Sequence, residues 1–122
     1  MDRRSRTWLS DIEVFSERIQ EKTIGRTAAD YVTDNDLRDI VERNLLKIGE
    51  LVVRLRDHDE TTDSQLAGFR GVIGLRNILS HNYESLTDSE VWELVQRALP
   101  ALPLDVRRLL DGESGSTIRA DL

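Results

Sequence analysis

Apolar residues recur from Trp8 onward as Trp8, Ile12, Phe15 and Ile19, spaced four, three and four apart. That is the period of one helix face, and Asp11, Glu13, Glu17 and Arg18 fill much of the rest. An amphipathic helix is therefore expected to about Thr23. Gly25 loosens the next stretch of chain, in which Ala28, Tyr31 and Val32 read as a short packed connector. Asp34 or Asn35 can cap a second helix. Its stripe is Leu37, Val41, Asn44, Ile48, Leu51 and Leu55, reinforced by Ile40, Leu45 and Val52, with an end near Arg56 to His58. A polar loop is expected over Asp59–Ser64.

A third helix is expected from about Gln65 to Ser80, with Phe69, Val72, Ile73, Leu75 and Leu79 on a broad face. Gly68, Gly71 and Gly74 fall inside it, each weakening a helix by about 1 kcal/mol relative to alanine, which close approach of another backbone would explain. Thr87-Asp88-Ser89-Glu90 reads as a capping box, opening a helix that turns Val91, Trp92, Leu94, Val95 and Leu99 inward. Pro100 breaks or kinks it, and a short helix from about Leu104 to Leu110 completes the fold. The expected architecture is all-α, a four- to five-helix antiparallel bundle over residues 1–111, with 112–122 as a flexible, glycine- and serine-rich tail.

Composition narrows the setting. The chain has 122 residues, the size of one domain. It carries no cysteine, so disulfides and thiolate metal sites are out of reach and a reducing cytoplasm fits. No apolar run follows the N-terminal Arg3, Arg4 and Arg6, so no signal peptide is expected, nor any membrane span. Seventeen basic residues against 23 acidic leave a formal net charge of −6, which disfavours broad adhesion to nucleic acid but permits a local basic cleft. Arg3, Arg4 and Arg6 near one terminus, and Arg107 and Arg108 near the other, each read as solvated surface when taken alone. His58 reads as a helix-terminal histidine favoured by the dipole, without a catalytic role.

Two polar residues break the binary pattern. Arg76 falls in the middle of the apolar arc of the third helix, so it must be paired, exposed at a cleft, or buried against a second subunit. A snorkelling arginine is the structural alternative. Asn44 interrupts the stripe of the second helix; it either orients a neighbour or is a satisfied core amide. His81 would point about 140° away from Arg76 in an unbroken helix. Either the helix ends near Ser80, which Asn82 permits, or a symmetric partner completes the site. Tyr83 then emerges beside His81.

The run Leu75-Arg76-Asn77-Ile78-Leu79-Ser80-His81-Asn82-Tyr83 resembles the R-x4-H-x-Y motif of the HepT-like branch of HEPN ribonucleases. Those are the toxin halves of toxin–antitoxin pairs made with a minimal nucleotidyltransferase. Glu42-Arg43-Asn44-Leu45 with Ile48-Gly49-Glu50 resembles that family's second helix, and Val91-Trp92-Glu93 with Leu99-Pro100 its fourth. Asn82 stands where a glycine is expected. The resemblance implies a bundle that forms a homodimer, its two motifs facing each other across the interface. It implies metal-independent cleavage of RNA by Arg76 and His81, supported by Asn77 and Asn44, with no cofactor. It further implies that the nucleotidyltransferase antitoxin silences the protein by adenylylating Tyr83. The rival from another class is a non-catalytic helical module that docks the nucleotidyltransferase or its nucleotide.

Overall fold

In the computed structural model, which describes residues 1–59 and 87–120, helix α1 (Arg3–Thr23) starts where the Asp2 carboxylate accepts the Ser5 backbone N–H at 2.9 Å. Its buried face is Ser5, Leu9, Ile12, Ser16, Ile19 and Thr23. Trp8 and Phe15, expected on the core stripe, are only partly buried and pack beside the core. Small hydroxyl residues take the buried stripe positions instead, and the rings stand at its border. Ser16 Oγ donates to Ile12 O at 2.7 Å and Thr23 Oγ1 to Ile19 O at 2.8 Å, so both buried hydroxyls are satisfied within their own helix. Phe15 is flanked by cations, with Lys47 Nζ 5.1 Å from its ring centroid.

Gly25, at φ 73°, turns the chain after α1 in a left-handed conformation that favours glycine. Thr27 and Asp30 then form a complete capping box, in which the Thr27 N–H, then its hydroxyl, holds the Asp30 carboxyl below its ordinary range. The segment expected as a connector is thus a true helix, α2 (Ala28–Thr33). It buries Tyr31 fully beside Trp92, ring centroids 5.4 Å apart. Helix α3 (Asn35–His58) is capped by Asp34, which accepts the Leu37 N–H at 3.1 Å. All six expected stripe residues are buried, together with Leu45, Val52 and Gly49.

Helix α4 (Asp88–Ala98) starts at Thr87, whose Oγ1 accepts the Glu90 N–H at 3.2 Å. The Glu90 carboxylate accepts the Thr87 hydroxyl at 3.1 Å, bracing the cap. Val91, Trp92, Val95 and Leu99 are buried, and Leu94 lies half-buried against the core. After Pro100, helix α5 (Ala101–Ala120) starts earlier and runs further than the expected Leu104–Leu110. Pro103 falls in its first turn, where a missing N–H is harmless, and Gly112 weakens a helix without stopping it.

Helix α1 packs on α3 and α5, while α2 packs on α3 and α4. Asp2, before α1, meets His58 at the end of α3, so those helices run antiparallel. Helix α5 also opposes α1, since Arg107 Nε donates to Glu13 at 3.2 Å while Leu99 and Pro100 border the groove that Gln20, Thr23 and Ile24 line at the other end of α1. Leu9, Ile12 and Ile19, the α3 stripe, and Leu99, Leu102 and Val106 form the core between them. Each such fully buried side chain contributes about 1.5–3 kcal/mol. Every element among the described residues is a helix, as expected of an all-α bundle, and none of these helices is long and apolar enough to cross a membrane. The third helix expected over 65–80 lies outside them.

Candidate functional site

Of the expected site residues, Asn44 is described, whereas Arg76, Asn77, His81 and Tyr83 lie outside the described residues. Asn44 is 7% exposed on α3, and its Nδ2 donates to Ile40 O at 2.7 Å. That carbonyl already receives the Asn44 backbone N–H as part of the helix ladder, so the side-chain bond satisfies the amide's donor more than the carbonyl. No other side-chain hydrogen bond of Asn44 forms among the described residues. A buried amide carbonyl in that position remains able to accept a donor.

The points from which the chain leaves and rejoins the described bundle are held firmly. At the exit, the Asp59 N–H donates to Leu55 O at 2.7 Å, and its carboxylate accepts Ser5 Oγ at 3.1 Å. At the return, Thr87 caps α4, and Asp88 lies 3.6 Å from the Arg38 guanidinium near the start of α3. Arg38 also donates to Tyr31 O at 3.2 Å, to Val32 O and to Asn35, which ties α2, α3 and α4 at one place. Exit and return therefore stand at opposite ends of α3, roughly 30 Å apart at 1.5 Å per residue. Asn44 stands six positions along α3 beyond Arg38, a rise of about 9 Å from the return end, and nearer to it than to the exit end.

The exit end carries a cluster that local sequence reasoning missed. His58 Nε2 stands 2.5 Å from Asp2 Oδ2, and the Trp8 ring meets the imidazole edge-on at 5.3 Å. The Ser5 backbone N–H, then the His58 ring, lowers the Asp2 carboxyl from 3.8 to about 2. These groups pin the start of α1 to the end of α3. Nothing in the local pattern around either residue signals a partner so far away in the chain. Among the described residues, no group of three His, Asp or Glu stands close enough to share a metal ion.

Comparison with known proteins adds three findings. The sequence profile of the family described as Ribonuclease HepT-like matches residues 12–109, well over half of the chain. A protein of Caldanaerobacter subterraneus subsp. tengcongensis, named as a candidate RNase, is 28% identical over 108 residues, covering 88% of this chain and 96% of its own. No solved structure matches. The matched span includes Asn44 and the whole run from Leu75 to Tyr83.

Proposed function

We propose, because this chain belongs to the Ribonuclease HepT-like family, that it is the toxin of a toxin–antitoxin pair and cleaves RNA without a metal ion. The observation that carries the reading is the R-x4-H-x-Y run, Arg76 to Tyr83, inside the matched span. The ribose 2′-oxygen attacks the adjacent phosphorus, forming a 2′,3′-cyclic phosphate as the bond to the 5′-oxygen breaks. The His81 imidazole can take the 2′-hydroxyl proton or supply one to the leaving oxygen, since histidine is the residue type that exchanges protons near neutral pH. Arg76 holds the phosphate and offsets the charge that builds on its oxygens, a task suited to a forked donor. Asn77 adds a hydrogen bond, and Asn44 braces the arrangement.

The placement of Asn44 supports that last role. It lies towards the return end of α3, and the motif ends at Tyr83, five positions before Asp88. Two copies of the chain as a cytoplasmic homodimer would bring both motifs to one cleft, which answers the divergence of Arg76 and His81 on a straight helix. Residues 1–111 carry the proposed domain, and 112–122, expected as a flexible tail, continue α5 to Ala120.

Tyr83 is the proposed acceptor of adenylyl groups from a minimal nucleotidyltransferase antitoxin. A bulky anion there would block the cleft and compete for Arg76. Intact mass after co-expression tests this: Tyr83→Phe should abolish the added mass. The cleavage proposal is tested on RNA with and without chelator. Activity should survive chelation and be lost in Arg76→Ala and His81→Ala; loss on chelation would overturn the metal-free mechanism. The net charge of −6 favours the second reading, a non-catalytic module that docks the nucleotidyltransferase. An RNA substrate left intact by wild type, beside retained binding of that partner, would select it.

A further inference from the structure

The antiparallel packing of α1 and α5 brings together two arginine groups that stand near opposite ends of the sequence. Arg3, Arg6, Thr7 and Ser10 line one wall of an open groove of about 640 Å³, and Arg107 and Asp111 line the other, with Asp11 also bordering it. The volume lies within the range of ligand clefts. Arg107 is already engaged: it donates to Glu13, and its Nη1 stands 3.8 Å from Asp111. Arg3 and Arg6 are exposed and form no ion pair among the described residues.

The position of these arginines is unfavourable for the helix itself. The first turn of α1 holds Arg3, Arg4 and Arg6 and no acid, although cations at the positive end of a helix dipole each cost about 0.3–1 kcal/mol. Asp2 already caps that end, so a further anion would be held by guanidinium groups rather than by free backbone amides. Forked donors beside the Thr7 and Ser10 hydroxyls suit phosphate oxygens and ribose hydroxyls. A chain of net charge −6 also needs a local positive surface to attract a polyanion.

We propose that this groove is a phosphate-binding track for the backbone of single-stranded RNA, a contact for the substrate additional to the R-x4-H-x-Y motif. It rests on the ribonuclease reading for the identity of its ligand. Arg3 and Arg6 are the primary contacts, with Thr7 and Ser10 as hydrogen-bonding partners and Arg107 held rigid by Glu13 as the far wall.

The test measures binding of a fluorescein-labelled 2′-O-methyl RNA of about 12 nucleotides, which resists 2′-hydroxyl attack, across a range of salt. The variants are Arg3→Ala/Arg6→Ala and, as a control of equal charge away from the groove, Arg26→Ala/Arg54→Ala. The groove variant should flatten the plot of log affinity against log salt by about 1.4, two phosphate contacts at ~0.7 each. The control should keep the wild-type slope. Melting temperature should stay level or rise in the groove variant, which excludes unfolding as the cause. On unmodified RNA, KM should rise while kcat holds. Equal slopes for wild type and groove variant, or equal losses in groove variant and control, overturn the proposal. Intact RNA binding with lost binding of the nucleotidyltransferase also overturns it, making the groove a protein surface. Slope loss in a protein that cleaves no RNA keeps the groove and removes the ribonuclease. Cleavage that depends on His81, with binding indifferent to Arg3 and Arg6, does the reverse.

Discussion

The Asn44 amide donates to a carbonyl that its own backbone N–H already engages, so its contribution to folding is small. Asn44→Ala should change stability by less than about 1 kcal/mol in urea unfolding, because the lost bond and the better helix propensity offset each other. If the amide braces the motif, the same variant should lose about tenfold in kcat on RNA, the equivalent of one hydrogen bond of about 1.4 kcal/mol. An unchanged kcat would make Asn44 a core residue and nothing more. Asp2 offers a second residue-level test. A carboxyl lowered from 3.8 to about 2 stabilises the fold above pH 3.8 and loses that contribution as pH falls through 2. NMR titration of the Asp2 side chain should give a midpoint near 2, and the melting-temperature gap between wild type and Asp2→Ala should close over that window. A midpoint near 3.8 would mean that neither the Ser5 cap nor the His58 contact forms in solution.

At the scale of elements, the helix ends carry more information than the helix middles. Thr87 starts α4 where the chain returns from the motif, and Thr87→Ala should cost about 1 kcal/mol by chemical denaturation, a typical loss for an N-cap. Gly25 has open space where a Cβ would stand, yet its φ of 73° makes Gly25→Ala costly by about 1–2 kcal/mol through the backbone alone. No loss in that variant would mean that the turn relaxes to another geometry. Asp34, Thr87 and the α3 stripe were legible in advance because a cap and a 3.6-residue period are written within a turn or two of chain. The α2 helix was not. Its six residues are too few to show a period, and burial of Tyr31 beside Trp92, together with Arg38 on its last carbonyls, comes from α3 and α4.

For the whole molecule, the proposed two-fold cleft makes a quantitative expectation. Arg76→Ala and His81→Ala should each be inactive, yet unfolding and refolding them together should recover about a quarter of wild-type activity. Half the dimers would be mixed, each with one intact Arg76–His81 pair across the interface. No recovery, from a mixture shown to contain mixed dimers, would place both residues of each site on one chain. The net charge of −6 belongs at this scale as well, because it makes the distribution of arginines matter more than their number.

Periodicity alone determined that the described elements are helical, where α1, α3 and α4 run to within a few residues, and that Asn44 is a polar residue on an apolar face. The R-x4-H-x-Y run supplied the family expectation that the match over residues 12–109 then bore out. These signals are short-range, carried by neighbours along the chain. Tertiary structure decided that Ser5, Ser16 and Thr23 take core positions while Trp8 and Phe15 move to the seam. It also brought Asp2 to His58, and Arg3 and Arg6 to Arg107. Those pairings depend on which helix lies against which and in what direction, and packing settles that through contacts between residues far apart in the sequence.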